Sequence, residues 1–165
     1  MYSRMEIRHT SVSDLPRVME IFEDAKAKMR ADDNFRQWSG PYPDPEQLKT
    51  DISRGASYVV EDGDLIVGTF AFIPGTDPTY LKIYEGQWLN DEPYGTIHRI
   101  ASAKDAHGVM DFCLDWCSRR TGNIRIDTHR DNRIMQHILE TRGFSYCGII
   151  YLLSGDERLA FQKIV

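Results

Sequence analysis

Hydrophobic residues recur along this chain with two different periods, and the change from one to the other predicts helices interleaved with strands. Apolar positions at helical spacing, as at Leu15, Val18 and Phe22, predict an amphipathic helix over 14–30. Short runs rich in β-branched and aromatic residues predict strands. The full prediction is helices over 14–30, 45–53, 108–119 and 132–142, and strands over 6–9, 57–61, 65–73, 96–102, 124–128, 146–153 and 158–164.

The order of these elements predicts a mixed α+β sheet. The strand–helix–strand unit over 96–128 needs a right-handed crossover, which makes its two strands parallel. The hairpin signal Asp62-Gly63-Asp64 and the turn at 154–156 make other neighbouring strands antiparallel. We therefore expect a mostly antiparallel sheet with one parallel pair, flanked by helices, in a single domain over 1–165. The segment 74–95 fits either an insertion or part of a strand with a mobile tip.

Composition and charge narrow the classes of protein that remain. The 165 residues are 41% hydrophobic and 27% charged, as in an ordinary globular domain. The net charge of −5 argues against broad nucleic-acid binding, which needs a basic face. No apolar run approaches the ~20 residues of a membrane span, and the opening MYSRMEIRHT lacks the apolar core of a signal peptide. We expect a cytoplasmic protein with no nucleic-acid or membrane partner.

Cys113 and Cys117 lie one helical turn apart, and Cys147 is the third cysteine. The odd number argues against a set of disulfides. No histidine or further cysteine lies near the pair in sequence, so small apolar residues packed within a helix fit better than a metal site. We expect no metal.

Two segments, IHRIAS at 97–102 and DNRIMQHILETRGF at 131–144, resemble the GNAT N-acetyltransferase family. The first is similar to the family's central strand, and the second to its signature of an asparagine, a helix and a Gly-Phe pair. Gln37-Trp38, Tyr42-Pro43 and Asp51-Ile52 resemble the acceptor side of small bacterial members. The resemblance covers essentially the whole chain. It implies the GNAT-like fold, a mixed sheet whose one parallel strand pair splays apart.

The resemblance implies acetyl-CoA as cosubstrate, bound in the splay between the two parallel strands. Diverging strands leave facing backbone groups without partners, and the amides of a pantetheine arm can supply them. The next helix N-terminus would face the pyrophosphate. Asn132 either bonds the pantetheine or acyl end, or is an ordinary helix cap. The implied cofactor-binding residues are Ile100, Ala101, Ser102, His107, Gly108, Val109, Met110 and Asn132.

The phosphate-binding turn departs from the family pattern Arg/Gln-x-x-Gly-x-Gly/Ala. Asp105, Gly108 and Met110 stand at its three defined positions, so only the middle glycine is kept. A carboxylate repels a pyrophosphate, and a methionine adds bulk where a small residue is usual. These changes predict weaker CoA binding or displaced phosphates.

A second departure concerns the group that protonates the leaving thiolate. Leu139 stands where many relatives carry a tyrosine for this step. Solvent or another group must then serve, and Tyr94 and Tyr151 are candidates from their chemistry alone.

His98, on the predicted central strand, is the candidate catalytic base. Acetyl transfer to an amine needs a route for the amine proton, and an unperturbed imidazole titrates near ~6.5. Strict alternation along the strand puts His98 on the same face as Ile100 and turns Arg99 the other way. A hydrogen-bonded structural histidine fits the same position. His107 and His129 are weaker candidates.

Trp38, Tyr42 and Tyr84 are candidate substrate-binding residues, because aromatic side chains in loops often line acceptor pockets. Alternatively, they cover the edges of the sheet. The resemblance implies an N-acetyltransferase that passes an acetyl group from acetyl-CoA directly to an amine, a small molecule in preference to a peptide amine. A second hypothesis is a catalytically weak or inactive GNAT-fold module for acyl-CoA binding or regulation, and a third is an unrelated α+β domain. The sequence is also compatible with a homodimer.

Overall fold

A seven-stranded mixed sheet forms the centre of the molecule. The computed structural model describes residues 4–165. The elements are β1 (Met5–His9), α1 (Leu15–Ala31), α2 (Pro45–Ser53), β2 (Ser57–Asp62), β3 (Leu65–Pro74), β4 (Gly95–Ser102), α3 (Val109–Arg120), β5 (Asn123–Thr128), α4 (Arg133–Thr141), β6 (Ser145–Tyr151) and β7 (Glu157–Ile164). The strand order is β1-β2-β3-β4-β5-β7-β6, and β4 with β5 is the parallel pair in this sheet. The predicted α+β architecture is confirmed.

The two helices in the second half of the chain begin and end within one residue of their predicted bounds. Gly108 precedes α3 with a left-handed φ of 74°, so this helix begins one residue later than predicted. Asn132 caps α4, since its Oδ1 accepts a hydrogen bond from the Met135 backbone N–H at 3.0 Å. Gly143 ends α4 with a φ of 88°, a conformation that glycine adopts without the strain a Cβ adds.

Two hydrophobic clusters lie on opposite faces of the sheet. One packs α3 and α4 against the strands, and the other packs α1 and α2. Cys113 and Cys117 are fully buried in the first cluster, and burial raises the pKa of both thiols, so they are apolar core residues as predicted. Gly68 on β3 lets α3 approach closely, because a Cβ there would lie 2.4 Å from Cγ1 of Val109.

The long segment between β3 and β4 packs over β6 and β7. It contains one short 3-10 turn, Pro78–Tyr80, and a single bridge from Tyr84 to Ile149 of β6. A polar network fastens it, in which Gln162 of β7 accepts a hydrogen bond from the Leu89 backbone N–H at 2.8 Å. The alternative of part of a strand with a mobile tip is therefore wrong, and the segment is a packed insertion.

Candidate active site

The parallel pair β4 and β5 splays apart after its first residues. Register pairs join Gly95 to Ile124 and Thr96 to Arg125, and none follows. The facing backbone groups beyond this point border a cavity of about 650 Å³ instead of a ladder of hydrogen bonds. The cavity is lined from β4 by Ile97, His98, Arg99, Ile100 and Ser102, and from β5 by Ile126, Asp127 and Thr128.

A bulge in β4 changes which side chains share a face. Thr69 of β3 pairs with Ala101, and Ala71 pairs with His98, so β4 has one extra residue between these pairs. Arg99 takes the left-handed φ of 52° there. The alternation predicted for His98 and Ile100 is therefore wrong. Ile100 instead packs in the same cluster as Ile97, three residues before it.

His98 is hydrogen-bonded to Asp77, a residue of the segment between β3 and β4. The distance between His98 Nε2 and Asp77 Oδ2 is 2.9 Å, and both side chains are largely buried. The other carboxylate oxygen accepts hydrogen bonds from the backbone N–H and hydroxyl of Thr79. Burial by itself would raise the pKa of Asp77, but the hydrogen bonds from His98 and Thr79 outweigh it and hold the pKa at about 2.

The charge of Asp77 determines the tautomer of neutral His98. An ionised carboxylate only accepts hydrogen bonds, so Nε2 carries the proton and Nδ1 keeps its lone pair. An imidazole oriented in this way can take a proton through Nδ1 while the carboxylate stabilises the resulting cation. Sequence reasoning missed Asp77. The turn pattern Asp77-Pro78-Thr79 marks a cap but carries no sign of its partner, 21 residues away.

Arg99 ties the bulge to α2. Its guanidinium donates to both oxygens of Asp51 at 2.7 and 2.8 Å, in a pair that is almost fully buried. Nη1 of Arg99 also donates to the hydroxyl of Tyr42 at 3.0 Å. Trp38 packs edge-on against Tyr42, and both aromatic residues line the cavity.

Gln37 joins the segment between α1 and α2 to the opposite cavity wall. Its Oε1 accepts hydrogen bonds from the side-chain amides of Asn34 at 3.0 Å and Asn132 at 2.9 Å. Beside it, Arg36 and Asp131 form a two-pronged pair across the same gap at 2.9 Å. The two links form a strap over one end of the cavity. Asn132 is thus both a helix cap and part of this strap.

The residues predicted to bind the cofactor divide into three groups. Ile100, Ser102, Met110 and Asn132 line the cavity. Ala101 and Val109 are buried in the core on either side of the sheet, so they offer backbone groups only. His107 and Gly108 lie in the turn before α3. Gly108, the N-cap of α3, has no side chain to bond the N–H groups of the first turn, and a helix N-terminus of this kind can face an anion.

Of the tyrosines in residues 4–165, Tyr42 alone lines the cavity. Tyr84 lies against Tyr151 on the edge strand β6, away from the cavity. The Tyr94 hydroxyl is engaged with the backbone N–H of Asp77 at 2.9 Å. Leu139 is fully buried in the core.

A second polar group lies at the cavity wall formed by β5 and β7. The Tyr80 hydroxyl donates to Asp127 Oδ2 at 2.6 Å, and Arg158 Nε lies 4.0 Å from Asp127 Oδ1. Burial, followed by the charge of Asp127, raises the pKa of Tyr80 well above its usual value, so its hydroxyl remains a donor. Sequence reasoning missed this group because its members are far apart along the chain.

The architecture has a close counterpart among solved structures. A GNAT-family acetyltransferase from Streptococcus agalactiae is 33% identical, with a TM-score of 0.90, over 98% of this chain and 95% of that one. This chain belongs to the GNAT acetyltransferase family. A GNAT acetyltransferase from Listeria monocytogenes has the same fold at 16% identity and a TM-score of 0.73, over 98% of this chain and 95% of that one.

The GNAT fold also relates this chain to a more distant protein. The NatC complex bound to Gag peptide and CoA contains a chain with a TM-score of 0.58 at 15% identity, over 98% of this chain and 99% of that one. No protein-family model matches the sequence, and no curated protein matches it. Within residues 4–165, no helix is long and apolar enough to cross a membrane.

Proposed function

We propose that this GNAT acetyltransferase transfers the acetyl group of acetyl-CoA directly to the amine of a small molecule. The hydrogen bond of His98 with Asp77 carries the proposal, because it orients a neutral imidazole as a base at the splay of β4 and β5. His98 Nδ1 accepts the proton that the amine loses as its nitrogen bonds to the acetyl carbon and the C–S bond breaks.

Three features of this chain fit acetyl-CoA. The edge of β4 after Thr96 has no strand partner on the β5 side, which suits an extended arm with amides. The uncapped first turn of α3 suits a pyrophosphate. Asn132 and Ser102 add polar side chains to the cavity wall. When bound, acetyl-CoA supplies an activated acyl group, and the residues named here hold and orient it.

The reaction can proceed although Leu139 replaces the tyrosine that many relatives use to protonate the leaving thiolate. The leaving group is a thiolate, and a thiol of the cysteine type has a pKa of about 8.5. Such a thiolate departs readily without a proton donor in contact, so we propose that solvent protonates it.

The strap of Gln37 and Arg36 favours a small acceptor over a peptide amine. It joins the segment after α1 to the start of α4 across the cavity wall, and such a link leaves less room for an extended peptide. A peptide acceptor is the second candidate, and the NatC relative bound to a peptide and CoA supports it.

Calorimetric titration with acetyl-CoA, followed by an acetylation assay on a panel of amines, tests the proposal. We expect binding, and turnover that appears as free thiol in proportion to acetylated amine. A lack of binding at millimolar CoA would contradict the enzyme. Binding without turnover across the panel would support the second hypothesis, a module that binds acyl-CoA, which the carboxylate of Asp105 and the bulk of Met110 favour.

A further inference from the structure

Arg158 of β7 is a buried arginine whose donors are mostly unused. Its side chain is 8% exposed, and it lines the cavity. Among residues 4–165 it donates one hydrogen bond, from Nη1 to the backbone carbonyl of Glu157 at 3.0 Å. Its Nε lies 4.0 Å from Asp127 Oδ1, which is too far for a hydrogen bond. A guanidinium has five N–H donors, so most of them have no protein partner.

Asp127 is the charge partner of Arg158 at the limit of an ion pair, and the unused donors of Arg158 face the cavity. Buried polar groups in proteins are nearly always hydrogen-bonded, and a buried charge needs a partner. Because Arg158 borders the cavity, the missing hydrogen-bond partner can come from a bound molecule. The planar fork of a guanidinium matches a carboxylate or a phosphonate through two parallel hydrogen bonds.

Arg158 is connected to the proposed base through one tyrosine. The rings of Tyr80 and His98 lie 6.4 Å apart between centroids, and the Tyr80 hydroxyl bonds Asp127, which neighbours Arg158. The cavity wall therefore has Asp77 bonded to His98, Asp127 joined to His98 through Tyr80, and the cation Arg158 4.0 Å from Asp127. A molecule with an amino group at one end and an oxyanion a few bonds away complements this order of charges.

We propose that the acceptor is a small amino acid, with its amino group at His98 and its oxyanion on Arg158. This inference rests on the proposed acetyl transfer and specifies its substrate class. A purely structural Arg158, which only balances the charge of Asp127, would give no preference for anionic amines.

The first test compares amines that differ only in the anion. Wild-type enzyme is assayed with acetyl-CoA and the common L-amino acids, their methyl esters, the matching aminoalkylphosphonates and short peptides. We expect at least one amino acid to have a kcat/KM about 100-fold above that of its ester, as expected when a site built for a charge meets a neutral analogue. The phosphonates distinguish the two oxyanions. Equal rates for acid and ester, or activity on peptides alone, would overturn the assignment.

Variants of Arg158 supply the second test. Arg158→Met should raise the KM for the amino acid at least 10-fold and lower the preference for the acid over its ester by a similar factor, and Arg158→Lys should recover part of that preference. Arg130→Met is the matched control, since Arg130 is an exposed arginine paired with Glu157 outside the cavity. Equal losses in both variants, or a loss shared by acid and ester, would contradict a role in anion recognition.

Calorimetry with the amino acids in the presence of CoA separates failure of this inference from failure of the proposed function. Binding that Arg158→Met abolishes, without turnover, would support the anion site and contradict acetyl transfer. Acetylation of neutral amines with no binding of amino acids would support acetyl transfer and contradict the anion site.

Discussion

At the scale of single residues, the site depends on how neighbours restrict a few side chains. Asp77 holds His98 in one tautomer, and the Tyr94 hydroxyl and Thr79 in turn hold Asp77. Arg125 lies between the rings of Trp88 and Tyr94, with its guanidinium carbon 4.1 and 4.0 Å from their centroids. The neighbours of each of these side chains restrict its conformational freedom. A catalytic base needs this restriction to meet its substrate in one orientation.

Asp77→Asn tests the orientation of the proposed base. The amide keeps the size of the side chain but lets His98 adopt the other tautomer, so we expect kcat to fall about 100-fold or more while the affinity for acetyl-CoA is kept. His98→Ala should likewise lower turnover more than acetyl-CoA affinity. Steady-state kinetics over a pH series and calorimetry give both quantities.

Asp64→Asn, at the exposed turn between β2 and β3, controls for loss of a carboxylate elsewhere. Unchanged turnover in His98→Ala at every pH would remove His98 from the mechanism.

At the scale of elements, α2 and the bulge of β4 form one unit. Arg99 adopts a left-handed backbone conformation, and its guanidinium meets Asp51 of α2 and the hydroxyl of Tyr42. The strain of that conformation, roughly 1–2 kcal/mol, is offset by contacts that only a folded α2 provides. The acceptor wall and the proposed cofactor wall are therefore coupled through one arginine.

Asp51→Ala leaves the buried guanidinium of Arg99 without its main partner. We expect the free energy of unfolding to fall by about 3–5 kcal/mol. The double variant Asp51→Ala with Arg99→Met should lose less than the sum of the single variants, because it leaves no unpaired charge. Urea unfolding of the four proteins measures the coupling.

The exposed pair of Arg130 and Glu157 is the control for this cycle. Glu157→Gln should change stability little, since solvent screens that pair. Strict additivity at Asp51 and Arg99 would show that the two residues contribute independently.

At the scale of the whole molecule, buried carboxylates link stability to pH. The guanidinium of Arg8 lowers the pKa of Asp14 to about 2, despite the opposing effect of burial. The pKa of Asp77, in the segment between β3 and β4, is also held at about 2. Both pKa values lie below the ordinary 3.8, so the folded state favours the ionised forms.

This linkage predicts a loss of stability in acid. The contribution of each carboxylate is complete above pH about 4 and disappears as the pH falls through about 2, since the unfolded chain takes up the protons first. We expect each to contribute on the order of 1–2 kcal/mol at neutral pH. Urea unfolding at pH 7, 4, 3 and 2.5 measures the loss, and Asp14→Asn should make the acid side of the profile shallower. An identical slope in this variant would contradict the role of Asp14.

Much of the fold was predictable because its signals are local. The helical spacing of Leu15, Val18 and Phe22 and the asparagine and glycine at either end of α4 depend only on neighbouring residues. The right-handed crossover then made β4 and β5 parallel. Trp38, Tyr42, Ile100 and Asn132, which the family resemblance and loop chemistry singled out, line one cavity.

The sequence did not predict the features that depend on contacts between residues far apart along the chain. Alternation assumes a regular ladder, so it could not reveal the bulge at Arg99 or the true face of Ile100. The partners Asp77 for His98, Asp51 for Arg99 and Gln37 for Asn132 lie 21, 48 and 95 residues apart.

The amino-acid pattern on its own therefore specified the elements, their order and the parallel pair, because burial repeats with the period of each local conformation. The pairing of His98 with Asp77 and the unused donors of Arg158 came from packing. Such contacts depend on the positions of the insertion after β3 and of strand β7 in the folded molecule. The hydrophobic period along the chain does not specify those positions.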